Sequence, residues 1–556
     1  MPGGLLNIVA YGQQNIILNG NPSKTFFKCV YSKYTNFGLQ KFRIDFNGLR
    51  TLRLTEESKF TFKIPRYADL LMDTYLVVTL PTIWSPIYPP QSCEGEWVEY
   101  GYKWIKNIGT QLIKEIQITV GGQIIGKFSG QYLYNLVERD FNDVKKNLYY
   151  KMTGNVSELN DPANSNGYQN VYPSAYYTSS QQGPDPSIRG RKLYIPINAW
   201  FTLNSKMAFP LVALQYNEMY IDVTLRPVQE LFTIRDVGNS DSLYPYVQPN
   251  FNNPLHSFYR FLQPPPDVML TVDSYADKRT NWNADVHLMS TYAFLSEDEV
   301  KVFAAHEQKY LLRDVQEYKF NNVTGSNTVS LDSLGMVANW TWFFQRNDVY
   351  LRNEWSNYTN WPYDYMPYQL LDPNNETVAT ITNPCLDPQV QNIGPGENPA
   401  PNSRTGIMIT PNYSPQNEKN ILKNLGILMD GKYRENTFDS GIYNYIEKYT
   451  RTSGNSEDNL YFYNFGLNTN PYDHQPSGAI NMSKFKTIEL EFTTIAPVLD
   501  PNAQFYKICD PITKVEIGVN KPNWTIYDYN FDLTVMEERY NILTFISGNA
   551  GLEFSR

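Results

Sequence analysis

The sequence predicts an all-β protein of more than one domain, on three observations. Aromatic residues make up 15% of the chain, with 43 Tyr and 29 Phe, while only 19% of it is charged; disordered chains have the opposite balance. Tyr, Phe, Val, Ile and Thr suit a half-buried pleated surface, and the 32 Gly and 36 Pro that punctuate them read as many strands joined by turns. A chain of 556 residues also exceeds what one hydrophobic core organises, so two or three domains are expected.

Residues 1–25 read as an N-terminal arm, Gly-rich at first, then Ile16, Ile17 and Leu18 ahead of the turn residues Asn19, Gly20, Asn21 and Pro22. Strands follow quickly. Phe60, Phe62 and Ile64 alternate with Lys59, Thr61 and Lys63, a period of two that puts the apolar set on one face. Tyr75 to Leu80 is apolar on both faces, as in the interior of a sandwich. Ile116, Ile118 and Val120 lead to Gly121 and Gly122, which supply the positive φ of a tight hairpin, so Gln123, Ile124 and Ile125 should run back alongside. Ile221, Val223 and Leu225 alternate with Asp222 and Thr224 up to Pro227.

Helices are few and short. Tyr132, Leu133, Leu136 and Val137 are spaced for one amphipathic helix over 129–143. Ser296 and Glu299 fit a capping box that starts a second helix through Val300, Phe303 and Ala304. Both read as packing elements.

From Asn239 to Asp285 the pattern weakens, and Pro264, Pro265 and Pro266 cannot pair in a central strand. Residues 239–285 therefore read as a linker between a first β domain, 26–238, and a second, 286–556. In the second, strand patterns recur at 286–288, 291–294, 319–331 and 340–344, then near Ile427, Tyr443, Tyr461 to Phe465, and Ile488, Leu490 and Phe492. Between them, about 345–420 is rich in Asn, Pro, Tyr and Asp, too long for an ordinary connection, and reads as elaborate surface loops.

Several function classes fit poorly. The net charge of −9, without a long Lys/Arg run, argues against direct nucleic-acid binding, whose affinity comes from displaced counterions. Cys29, Cys93, Cys385 and Cys509 are widely spaced and read as free thiols. No run of 18 apolar residues predicts a membrane-spanning helix, and the N-terminus lacks the pattern of a secretory signal. His256, His287, His306 and His474 have no metal-ligand spacing, and the nucleophile-elbow, phosphate-loop and zinc-protease motifs are missing. His306 beside Glu307 comes nearest to a catalytic pair and reads as surface structure. Catalytic, cofactor-binding and metal residues are therefore all expected to be none, and the protein is not expected to be an enzyme.

Five segments in order carry a family resemblance. They are Gly3 to Gly12 with Leu18 to Lys28; Phe209 to Glu218; Ala293 to Leu295 with Glu307 to Tyr318; Gln475 to Phe492, with its Pro476-Ser477-Gly478 corner, Asn481 and Ser483; and the tail Glu538 to Arg556. Together they resemble the major capsid proteins of large nucleocytoplasmic double-stranded DNA viruses. The second resembles the segment before the last strand of the family's first domain, and the third resembles the opening of the second domain.

The resemblance implies a double jelly roll, two tandem eight-stranded antiparallel sandwiches with few short helices and long surface loops. It further implies homotrimeric, pseudo-hexagonal capsomers that tile an icosahedral shell, assembled in the host cytoplasm into a virion. Expected partners are other copies of the chain, neighbouring capsomers, minor capsid proteins and an internal membrane beneath the arm. In the tail, Leu552 and Phe554 either anchor on a neighbouring domain or subunit or pack within their own domain. At the Pro-Ser-Gly corner, Gly478 reads as permitting a tight turn, with Asn481 and Ser483 bonding local backbone. Alternative readings are a minor capsid paralogue, a carbohydrate- or receptor-binding β-sandwich protein, and a glycoside hydrolase with an unmarked carboxylate pair.

Overall fold

The computed structural model describes residues 3–88, 98–169, 171–175, 185–238, 246–266, 274–361, 418–473, 475–496, 506–509, 516–520 and 529–554. Eight principal strands make a first block: β1 Gly38–Asp45, β2 Ser58–Lys63, β3 Leu70–Leu80, β4 Ile113–Val120, β5 Gln123–Phe128, β6 Arg191–Pro196, β7 Met219–Leu225 and β8 His287–Phe294. Antiparallel pairing orders them β1-β8-β3-β6 in one sheet and β2-β7-β4-β5 in the other.

Eight more strands make a second block: β9 Gln308–Phe320, β10 Ser326–Ser330, β11 Met336–Arg346, β12 Leu422–Met429, β13 Lys432–Asp439, β14 Tyr461–Asn464, β15 Ile488–Thr494 and β16 Phe531–Ile546. Their sheets run β9-β16-β11-β14 and β10-β15-β12-β13. Each strand number is the first block's plus eight. The chain thus builds the same jelly roll twice, with first and last strands adjacent in one sheet of each.

Local chemistry explains the strands. In β2 and β7 every second residue is buried, with Phe60 and Phe62 facing Val223 and Ile221 across the pair. The β4–β5 hairpin turns on Gly121 and Gly122, at φ +56° and +83°, where a Cβ is disfavoured. The second sandwich closes over Trp340, Trp342, Leu425, Leu490 and Phe531, all buried.

Short helices connect strand five to strand six in both blocks. In the first these are α1, Gly130–Asp140, and α2, Asp143–Thr153. After β8 comes α3, Glu297–Ala305. In the second block, a π-helical turn Ile442–Ile446 runs directly into Glu447–Arg451, and we treat the two as one helix, α4.

The structure corrects several expectations. His287 to Phe294, expected to open the second domain, pairs with β1 and β3 and closes the first jelly roll. The strand after Phe209 to Glu218 is accordingly the seventh, not the last. Within the expected linker, Phe258, Phe261 and Ala284 are fully buried in the first core. Tyr443 lies on α4 rather than on a strand. The start of the expected surface loop is buried, including Asn353, Ser356, Asn357 and Tyr358; residues 362–417 lie outside the described residues. Helix α3 forms, but the Ser296 side chain makes no capping bond.

Candidate functional site

The described residues contain no cluster of three or more His, Cys, Asp or Glu disposed to hold a metal. The histidines are scattered. His256 Nε2 lies 3.3 Å from Asp236 Oδ1, and His287 Nδ1 lies 2.6 Å from the Asp285 carbonyl oxygen. His306 sits exposed at the end of α3, where Glu307 pairs with Lys309 at 3.4 Å. His474 lies outside the described residues. Among the described residues, a buried polar network instead lies in the surfaces that join one jelly roll to the other.

Helix α1 is the centre of that junction. Ser129 caps it by accepting the Tyr132 amide at 3.3 Å. The Ser129 amide and hydroxyl both donate to Glu317 on β9, so the cap also ties the helix to the second jelly roll. Ten of its eleven residues are buried, including Glu138, Arg139 and Asp140. A buried ion needs a partner and satisfied hydrogen bonds, and these have them. The Arg139 guanidinium pairs with Asp140 at 2.7 Å and with Glu538 on β16 at 2.8 Å, and donates to Asn339 on β11 at 2.9 Å. Glu538 also accepts from Tyr132 at 3.0 Å and from Asn339 at 2.8 Å.

Burial raises the Glu538 carboxyl, but Arg139 and Arg313, with the Asn339 hydrogen bond, outweigh it and hold the group below its usual value. For Asp140 burial wins, and its carboxyl is raised despite Arg139 and a bond from Thr469.

Next to it, Lys146 bridges Glu138 at 2.9 Å, and Tyr134 donates to Glu457 at 2.7 Å. The Gly454 amide donates to the Arg139 carbonyl at 2.8 Å. Residues 353–358 lie on the other flank. Asn353 Nδ2 donates to the Gln229 and Phe232 carbonyls at 2.9 and 2.8 Å, and Trp355 Nε1 to the Glu230 carbonyl at 3.0 Å. The Arg226 guanidinium stacks 4.2 Å over the Trp355 ring.

The tail adds an apolar clasp. A short strand β17, Asn549–Leu552, folds back on β16. The Gly548 carbonyl accepts the Tyr216 amide at 3.1 Å, and the Leu552 amide donates to Gln123 Oε1 at 3.3 Å. Phe545 meets Phe209 edge-on at 5.3 Å. Of the two readings of the tail, this geometry matches docking on the neighbouring domain for Leu552, while Phe554 stays exposed. At the Pro-Ser-Gly corner Gly478 has φ +140° and Asn481 bonds the local Ser483 amide, but Ser483 reaches across to the Gly335 amide at 2.9 Å.

The network of Glu138, Arg139, Asp140 and Asn339 was not anticipated from sequence. The signal available was three consecutive charged residues ending an otherwise uncharged helix.

The structure thus defines a protein of two like jelly rolls joined by a buried charge network, and comparison with known proteins gives its family. Residues 25–251 match the family model described as major capsid protein N-terminus, and residues 299–551 match that of the large eukaryotic DNA virus major capsid protein. The major capsid protein of Phaeocystis pouchetii virus is 23% identical over the full length of both chains. In the solved capsid of Paramecium bursaria Chlorella virus 1, a chain at 18% identity superposes with a TM-score of 0.58, covering 96% of this chain and 100% of that one. The Faustovirus major capsid protein superposes at 0.59 with 12% identity, covering 94% and 93%. The chain belongs to the major capsid protein family of large eukaryotic DNA viruses. Its fold is the double jelly roll, and it is a structural component of the virion.

Proposed function

We propose that the protein forms homotrimers whose six jelly rolls make a pseudo-hexagonal capsomer, and that these capsomers tile an icosahedral shell. One observation carries the reading: the same eight-stranded module occurs twice, and the two copies are locked into one body by the Arg139–Glu538 network. A rigid pair of like modules repeated about a threefold axis gives near-sixfold packing from one gene product, and a contact that closes on rotation makes the assembly finite. The modules divide in this reading at about residue 295, after β8. The protein acts as building material without turnover of its own.

The arm supports an inward role. Its described residues, 3–25, expose Leu5, Leu6, Ile8, Val9, Ile17 and Leu18, an apolar surface suited to minor capsid proteins or an internal membrane. Assembly takes place in the host cytoplasm. Light scattering on the purified full chain tests the trimer: a stable species of three 64.3 kDa chains is expected, and a monomer at all concentrations would overturn it.

A further inference from the structure

Helix α2 presents one face to a pocket beside the junction. Asn142 caps the helix by accepting the Lys145 amide at 3.0 Å. Lys145, Leu148, Tyr149 and Met152 then stand at i, i+3, i+4 and i+7, the spacing of a single helix face. All four line a pocket of about 230 Å³. Another wall is the end of β6 with the residues after it, including Asn198 and Leu203, and Tyr472 reaches over from the second jelly roll. Leu148 is 59% exposed, so the pocket is reached from solvent.

The lining is mostly apolar, with Phe141, Leu148, Met152, Leu203 and Tyr472. Two polar atoms of its residues are unsatisfied. Tyr149 Oη and Asn198 Nδ2 have no hydrogen-bond partner, although Tyr149 is 4% and Asn198 8% exposed. A buried donor left unpaired is costly and calls for a partner. Neighbouring polar groups are engaged: the Thr202 hydroxyl donates to the Ile197 carbonyl at 2.8 Å, and Asp73 accepts from the Thr291 hydroxyl at 2.9 Å.

The polar groups left over favour an anion. Lys145 Nζ lies 4.7 Å from the Tyr472 ring centre and 5.9 Å from that of Phe141, and makes no ion pair among the described residues. Burial, with Glu138 nearby, raises the Tyr149 phenol far above its ordinary value, so the hydroxyl keeps its proton and donates. Among the described residues, the one carboxylate in the lining is Asp73, already bonded to Thr291. The volume lies below the ~300–1,000 Å³ usual for drug-sized ligands, which suits one unbranched chain rather than a whole lipid.

We infer that this pocket binds a medium-chain aliphatic carboxylate, the chemistry of a free fatty acid. The Asn198 amide, the Tyr149 hydroxyl and the Lys145 ammonium take the carboxylate, whose charge needs such partners when it leaves water. The chain lies along α2 against Phe141, Met152, Leu203 and Tyr472. Because Tyr472 belongs to the second jelly roll and the other residues to the first, the ligand touches both and stabilises their docked state by mass action. The site does not depend on the trimer reading.

The test is calorimetric titration of the full-length protein with decanoate, kept below its micelle-forming concentration. One saturable site per chain and a raised melting temperature are expected. Decylamine, with the same chain and the opposite charge, should not bind. Asn198→Leu keeps the shape of the side chain but removes the donor, so it should weaken decanoate binding by about tenfold or more. Its ligand-free melting temperature should stay level or rise, whereas loss of a purely structural residue would lower it. Lys145→Glu, at an exposed position, should weaken binding likewise and decides the matter if Asn198→Leu does not fold. Equal binding of decylamine, or decanoate binding unchanged in the variants, would overturn the inference. So would the lack of a saturable site in a protein whose native mass spectrum carries no bound carboxylate; a carboxylate already bound there would uphold it.

Discussion

Arg139 of the first jelly roll and Glu538 of the second meet through Nη2 and Oε1 at 2.8 Å, with both side chains 2% exposed. Removing one member of such a pair strands the other charge in a dry interior. Arg139→Ala is therefore expected to cost about 3–5 kcal/mol of unfolding free energy, read by denaturant titration. Glu538→Ala should cost a similar amount, and the double variant less than the sum of the two, because the groups share one network. Additive losses would refute the coupling.

Gly454 tests how closely the jelly rolls approach. A Cβ there would sit 2.5 Å from the Glu138 carbonyl oxygen and 2.6 Å from that of Arg139. Backbone cannot swing aside as a side-chain end can, so Gly454→Ala should destabilise by about 1–3 kcal/mol, the usual range for overpacking. Thermal melts would detect it.

Phe545 lies between Phe209 of the first jelly roll and Tyr310 of the second, edge-on to both at 5.3 and 5.5 Å. Phe545→Ala should cost about 3–5 kcal/mol, as for other buried aromatics, while Phe554→Ala, at an exposed position, should cost little. Equal losses at the two sites would mean that the clasp is not formed in solution.

Lys448 gives a pH signature. Burial lowers its ammonium to about 8 from 10.5, against the pull of Asp458, Glu457 and Glu138. Between those two values the unfolded chain binds more protons than the folded one, so this group makes stability rise with pH over that window. Below it, the cost of burying the charge is present in full. Lys448→Met should flatten this contribution, seen as the difference between the two proteins' stability profiles from pH 7 to 10.

Acid should act on the junction in the same sense, stability again falling as pH falls. Glu538 is held below its usual value, so its contribution is present above the ordinary glutamate range and is lost as pH falls through the depressed folded value. Asp140, raised by burial, offsets part of this loss in the same direction of titration. Wild type should lose more stability than Glu538→Gln on going from pH 5 to pH 3; identical losses would remove Glu538 as the cause.

The elements legible in sequence were those whose signal is local. The alternation in β2 and β7, the glycine pair after β4 and the spacing in α1 each follow from residues within one window. Strand β8 reads as part of the wrong block because its partner β1 lies at the other end of the domain's sequence; Arg43 and Asp285, bonded beside that pairing, are 242 residues apart. Helix α4 read as strand because its Ile and Tyr residues favour a pleated surface as much as a helix. The charged end of α1 carried no sign of the junction, since burial by another module leaves no mark in the helix's own sequence.

That late arrival of β8 also has a temporal side. A chain emerging from the ribosome at its N-terminus cannot complete the sheet begun by Gly38 until Phe294 has been made. The second sandwich in turn awaits Phe531–Ile546, which are also needed to seal the junction with the first. For most of synthesis the nascent chain therefore exposes open sheet edges and uncovered aromatic surface. Such high contact order makes folding slow and its intermediates prone to aggregate, so a cell producing this protein in quantity must keep unfinished chains apart until the final strand is in place.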